Sequence, residues 1–163
     1  MAERSGEGAG DRGSPPLLVS ACLLGVRCNH EGAANTSEAV VALRERFRLV
    51  PVCPETVGGL PTPRPAAERR PDGSVRNEAG EDVTAAYRRG ATHAVRLARS
   101  TRAVGAVLKA RSPSCGCHEI KVDGQRVPGE GVTAEALREA GVPVADEDDV
   151  ARGVPWLVPP PGA

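Results

Sequence analysis

The sequence predicts an α/β protein: a small, open, mostly parallel sheet flanked by helices, with long functional loops after the strands. Three observations carry this. Short apolar runs of strand length alternate with stretches of helical periodicity, the pattern that builds parallel sheets through helical crossovers. Two long segments between them are dense in Gly and Pro, which fits a chain holding 19 Gly and 15 Pro. Three of the five cysteines fall at or just past the end of an expected strand.

In chain order, residues 1–16 read as a disordered tail in which Gly, Ser and charge dominate. Leu17-Leu18-Val19-Ser20 is the first strand and Cys22 follows it. A first helix is expected over Ser37–Phe47, capped by Asn35 or Thr36, with Val40, Val41, Leu43 and Phe47 on its inner side. Arg48–Val52 is the second strand and leads directly to Cys53. Cys53–Glu81 shows no helix or strand period and reads as one long loop, its first half functional, with Asp72–Glu81 a hairpin or a flap.

Asp82-Val83-Thr84 opens a second helix to about Ser100, whose inner stripe is Val83, Tyr87, Ala91, Ala94, Val95 and Ala98. The third strand spans Val104–Lys109, and a second long loop, Ala110–Gly131, holds Ser112-Pro113-Ser114-Cys115-Gly116-Cys117. Thr133 is expected to cap a short helix to Ala140, Gly141 to end it, and Val142–Ala145 to be a fourth strand. A single domain is expected over 17–150, with 151–163 a Pro-rich tail.

Composition excludes several functions. Lys+Arg and Asp+Glu both number 21, so no net positive charge draws the chain to nucleic acid. Phe47, Tyr87 and Trp156 are the only aromatics, too few for a base-stacking platform. No run approaches the ~20 apolar residues of a membrane span, and Met1–Ser14 lacks the apolar stretch of a secretory signal. A cytoplasmic protein is expected, in which cysteines serve as ligands or catalysts more often than as disulfides.

Parallel strands would bring Cys22, Cys53 and Cys115 to one sheet edge, the edge where open α/β sheets bind ligands. Three thiolates there suit a metal or an iron–sulfur cluster with one free coordination position. Cys28 and Cys117 read slightly better as buried apolar side chains than as ligands. Glu55, two residues beyond Cys53, lies within reach of anything bound there and suits a general acid or base; capping a turn or pairing with Arg64 accounts for it equally well. Ser112 and Ser114 flank Pro113 just ahead of Cys115, where the ring could aim a hydroxyl at the site, although serines in turns commonly bond their own backbone. Arg64 reads as an anion clamp or a surface arginine. His93 reads as structural, and His118, directly after Cys117, as a weak ligand candidate.

Ser20-Ala21-Cys22-Leu23-Leu24-Gly25, Val52-Cys53-Pro54-Glu55, Gly59-Leu60-Pro61-Thr62-Pro63-Arg64, Asp82-Val83-Thr84 and Leu108-Lys109-Ala110-Arg111-Ser112-Pro113-Ser114-Cys115-Gly116 resemble, in order and spacing, a bacterial family of thiouracil desulfidases long catalogued as a domain of unknown function. The resemblance runs from about Leu17 to Asp146. It implies a 4Fe-4S cluster held by Cys22, Cys53 and Cys115, with one open iron that takes the substrate's sulfur. It further implies Glu55 as the catalytic glutamate and a serine of the Ser112-Pro113-Ser114 block, Ser112 before Ser114. The implied reaction removes sulfur from a thiolated nucleobase such as 2-thiouracil, giving uracil and sulfide without net redox change. One departure stands out: many relatives carry Arg-Tyr-Asp-Gly after the second cysteine, where this chain has Asn29-His30-Glu31-Gly32.

The expected partner is therefore a small thiolated nucleobase, with no nucleic acid and no membrane, for a monomer or small homo-oligomer. Two other readings compete. In one, Cys28 or Cys117 closes the site, and a structural metal or cluster supports a binding module without catalysis. In the other, Cys115 and Cys117 form a thiol redox pair, which a one-residue spacer strains.

Overall fold

The computed structural model describes residues 13–157. Most of the expected N-terminal tail and the last residues of the Pro-rich end lie outside the described residues. Four strands, β1 (Pro16–Ser20), β2 (Arg48–Val52), β5 (Ala106–Leu108) and β8 (Val144–Asp146), form one sheet in the order β2-β1-β5-β8. Every pairing in it is parallel, from Pro16↔Arg48 to Leu108↔Asp146. The sheet class predicted from the alternation of elements is thus the one observed.

Parallel strands are covered on both faces, so their residues are apolar without alternation. β1 shows it: Leu17 and Val19 enter one core with Val40, Phe47, Val107 and Ala145, while Leu18 enters the other with Ala94, Ala98, Ala106, Leu108 and Leu137. Each fully buried Leu contributes about 2 kcal/mol of transfer free energy. The first face is covered by α1 (Glu38–Val41) and α5 (Glu147–Arg152), the second by α3 (Thr84–Thr101) and α4 (Val132–Glu139). Pro51, which has no amide to donate, sits exposed on edge strand β2, where the lost bond is tolerated.

Several expectations are corrected. The first helix is split: α1 gives way to a 3-10 turn over Ala42–Glu45, because β-branched Val40 and Val41 weaken the helix and the chain must turn back into β2. Its cap is Ser37, not Asn35 or Thr36. Cys53–Glu81 is not one loop. It contains α2 (Pro54–Val57) and an antiparallel hairpin, β3 (Ala67–Arg69) with β4 (Val75–Asn77). Ala110–Gly131 likewise carries the hairpin β6 (Glu119–Val122) with β7 (Gln125–Pro128).

Thr133 does not cap α4. The first amides of α4 instead donate to the carbonyls of Pro113 (Val132 N, 3.0 Å) and Ser114 (Thr133 N, 2.8 Å; Ala134 N, 3.1 Å). The chain past β8 is ordered further than expected. Asp146 and Asp149 form a capping box for α5, and Leu157 is buried. Trp156 lies so close over Gly105 that any side chain there would overlap its ring.

Candidate active site

Because β1, β2 and β5 are adjacent and parallel, their C-terminal ends bring three segments together. Cys22 lies in the 3-10 turn directly after β1, Cys53 is the N-cap residue of α2 directly after β2, and Cys115 is in the loop after β5. All three line one cavity of about 850 Å³. Cys28 lines it too, so the structure adds a fourth thiol that the sequence favoured as a plain core residue.

These thiols sense one another. Burial, then the charges of Cys115, Cys28 and Cys53, push Cys22 up to about 12. Burial and Cys53 push Cys28 up to about 12. Burial pushes Cys115 up to about 11, opposed by hydrogen bonds from the Ser20 and Ser114 hydroxyls. The Ser20 hydroxyl donates to Cys115 Sγ at 3.4 Å while accepting Lys109 N at 2.9 Å. The Cys53 thiol points to the carbonyl of Cys28 at 3.6 Å. Cys22, Cys28 and Cys115 resist ionisation because they are buried and, secondly, because neighbouring thiols oppose their charge, which fits a soft cationic centre that would favour the thiolate.

Glu55 is placed by backbone contact. On α2 and α3, Gly58 and Gly90 face the partner helix so closely that a Cβ on Gly90 would overlap the carbonyl of Pro54, and one on Gly58 the carbonyl of Ala86. That contact fixes the first turn of α2, which carries Glu55 into the cavity. Arg64 holds the carboxylate through Nε to Oε2 at 2.6 Å, and also donates from Nη2 to Cys28 O at 2.9 Å. With 5% of its side chain exposed, Arg64 is a buried clamp and not a surface arginine.

The serines divide. Ser112 lines the cavity, and its Oγ accepts Ser114 N at 3.1 Å and Cys115 N at 3.0 Å, which leaves its hydroxyl proton free to donate. Ser114 is fully buried, pairs with Thr133 Oγ1 at 2.9 Å and is not part of the cavity wall. Gly116 is needed for close approach and not for a positive φ, since a Cβ there would press on Glu119 O at 2.7 Å.

Cys117 stands apart from the other thiols. It does not line the cavity, and the groups acting on it are Asp146, Asp149 and Glu147. His118 is exposed and contacts Asp149, and His93 is exposed on α3.

Tyr87 takes only a core role from the helical stripe of the sequence. Its ring is buried in α3, but the side chain reaches the cavity, where burial and the Glu55 carboxylate push its hydroxyl pKa up. Its uniqueness as the one tyrosine, in an otherwise Ala-rich stripe, was the available signal. The far wall comes from the two hairpins. Glu68 of β3 accepts Asp123 N at 2.8 Å and Gly124 N at 3.2 Å, tying the tip of β6–β7 to β3.

Against this geometry stand three likenesses. The model of the 2-thiouracil desulfurase family matches residues 17–149. The chain belongs to that family. It is 35% identical over 146 residues to the uncharacterised protein YbbK of Bacillus subtilis (strain 168), across 82% of this chain and 97% of that one. Among solved structures it resembles the 4Fe-4S-dependent thiouracil desulfidase TudS, with a TM-score of 0.78 and 40% identity over 85% of this chain and 95% of that one. The family match begins at β1 and ends in α5, so it spans the whole cysteine edge.

Proposed function

We propose that this member of the 2-thiouracil desulfurase family is a cluster-dependent desulfidase that converts a thiolated nucleobase such as 2-thiouracil, plus water, to the oxo base and hydrogen sulfide. The observation that carries the reading is the convergence of Cys22, Cys53 and Cys115 from three adjacent strand ends on one cavity that also holds Glu55 and Ser112. Cys22, Cys53 and Cys115 would hold the 4Fe-4S cluster. When bound, an iron without a protein ligand supplies a soft Lewis acid for the substrate's sulfur.

The protein's own residues supply the rest. Arg64 grips Oε2 of Glu55, which keeps that carboxylate aimed and leaves Oε1 to take a proton from water as it attacks the thiocarbonyl carbon. The Ser112 hydroxyl, anchored by two backbone amides, donates toward the substrate or the departing sulfur. Ser20 positions Cys115 through a hydrogen bond to its sulfur. Residues of both hairpins and of the 3-10 turn line the cavity in which the base would sit.

The test is anaerobic reconstitution followed by sulfide release from 2-thiouracil. Cys53→Ala is expected to lose both the brown chromophore and activity. Glu55→Gln is expected to keep the chromophore and lose activity at least a hundredfold. A colourless reconstituted wild type, or a fully active Glu55→Gln, overturns the reading.

Cys28 favours a second reading, because its thiol sits among the other three and could close the coordination. Cys28→Ala separates the two. An open site retains its iron and its activity in that variant, whereas a closed structural site loses iron.

A further inference from the structure

A second group of metal-ligating side chains lies behind the cysteine loop and outside the cavity. Cys117 Sγ, a ring nitrogen of His118, and a carboxylate oxygen from each of Asp146 and Asp149 all fall within 4.8 Å of one another. None of the four lines the cavity described above. They come from two places: Cys117 and His118 from the loop between β5 and β6, Asp146 and Asp149 from the junction of β8 with α5.

We propose that this group is a zinc site that fastens the cysteine loop to the end of β8. The donor set decides the metal. A thiolate and an imidazole exclude the hard cations magnesium and calcium, while one sulfur, one nitrogen and two carboxylate oxygens are the ligand types zinc accepts. Four protein donors make a closed, structural site and leave no position for substrate. Metal–ligand bonds of about 2.0–2.3 Å require tetrahedral edges near 3.5 Å, so no two donors need close by more than about 1.3 Å, while His118 and Asp149 need to part by about an ångström.

The surroundings are already arranged for it. Asp146 is buried, and its Oδ1 is held by Asp149 N at 2.8 Å, while Asp149 Oδ1 accepts Arg152 Nη2 at 3.0 Å. Those contacts orient both carboxylates from outside, as supporting shells do around structural zinc. His118 Nε2 and Asp149 Oδ2 now meet at 2.6 Å, two ligands in direct contact at the position a cation would divide. Asp149 has Arg152 as a counter-charge, whereas Asp146 is buried beside the thiol with no ion pair among the described residues, which is costly. Zinc supplies the missing counter-charge: Cys117 loses its proton to solvent on binding, His118 binds neutral, and the net charge of the site goes from minus two to minus one.

Because Cys117 is two residues from Cys115, the zinc would hold the loop that carries a proposed cluster ligand. The inference itself does not rest on the desulfidase reading.

The experiment uses the full-length, cluster-reconstituted protein. It is equilibrated with zinc chloride and freed of excess by desalting, and zinc and iron per chain are then measured. One zinc per chain is expected in the wild type. His118→Ala removes an exposed side chain and is expected to weaken zinc affinity at least tenfold in competition with a chromophoric chelator, with iron content unchanged. Cys117→Ser is expected to do the same. With cobalt(II) in place of zinc, the wild type shows a near-ultraviolet thiolate-to-cobalt absorption that Cys117→Ser lacks. Wild type without bound zinc at micromolar free metal overturns the proposal. So does equal zinc in wild type and both variants.

Discussion

Along the sheet, Leu17, Leu18, Val19, Val107 and Leu108 have no exposed surface, and strands β1 and β5 are packed on both faces. Across the cavity the two hairpins contribute only Val75 and Ile120 to the buried apolar set. They are held by polar contacts instead: Glu68 to the Asp123 and Gly124 amides, and Arg69 to Glu135 Oε2 at 2.5 Å and to Glu130 O at 2.7 Å. Close-packed apolar layers resist deformation, whereas polar ties that are exposed, as at Glu68, or part-buried, as at Arg69, open at smaller free-energy expense. The cysteine edge is thus a rigid platform and the opposite wall an adjustable one. A cluster needs fixed ligands, and a substrate needs a wall that admits it.

The sharpest break of that contrast is Gly90→Ala. Its Cβ would overlap the Pro54 carbonyl, and backbone cannot yield as a side-chain tip does. A loss of about 3 kcal/mol or more in urea unfolding is expected, with reduced cluster content. A change below about 1 kcal/mol would show that α2 does not depend on that contact. Arg64→Ala comes next. It strips a nearly buried carboxylate of its partner and Cys28 O of its donor, and should lower stability by about 2 kcal/mol, below the range for fully buried pairs since Glu55 is 14% exposed. Activity should fall more steeply than stability, measured side by side.

Glu68→Ala tests the opposite wall. About 1 kcal/mol of local stability is expected to go with its two amide bonds, and KM to rise about fivefold while iron content holds. Lost iron in this variant would mean that the two walls are coupled.

The smallest effect is electrostatic. Hydrogen bonds from the Thr84 hydroxyl and amide hold the Asp82 carboxyl below the usual carboxylate range at the entrance to α3. A depressed folded-state pKa gives stability present above the unfolded value, about 3.9, and lost as pH falls through the folded one. The stability difference between wild type and Asp82→Asn should therefore be constant from pH 7 to 5 and shrink below about pH 4, by chemical denaturation. A difference that grows on acidification would contradict the sign.

The same division governs what could be read from the chain alone. Leu17–Ser20 and Leu49–Val52 announce themselves because doubly covered strands are apolar runs, and placing Cys22, Cys53 and Cys115 at strand ends follows once the strands are parallel. Ala67-Glu68-Arg69 and Gln125-Arg126-Val127-Pro128 carry no such signature, since long-range carboxylate–amide bonds fix them. Their turns were the available clue. Asp123-Gly124 lies between Val122 and Gln125 with both φ angles positive (52° and 76°), as a two-residue hairpin loop requires, and Arg70-Pro71-Asp72-Gly73 is similar turn chemistry. α5 went unread because six residues give no period, although Asp146 and Asp149 have the spacing of a capping box. The Arg64–Glu55 pair stands among the sequence alternatives and is the one the structure shows, whereas Tyr87 resists reading because its helical stripe gives it a core role while a distant carboxylate, Glu55, gives it another.

The ring that covers Gly105 belongs to the chain's single tryptophan. Its fluorescence therefore comes from one place, the seam where the chain past α5 returns to the strand that leads to Lys109 and the cysteine loop. Emission wavelength and anisotropy would report whether that seam is closed, with no label attached. A protein handled in air could thus be checked for an intact scaffold by an optical signal of its own.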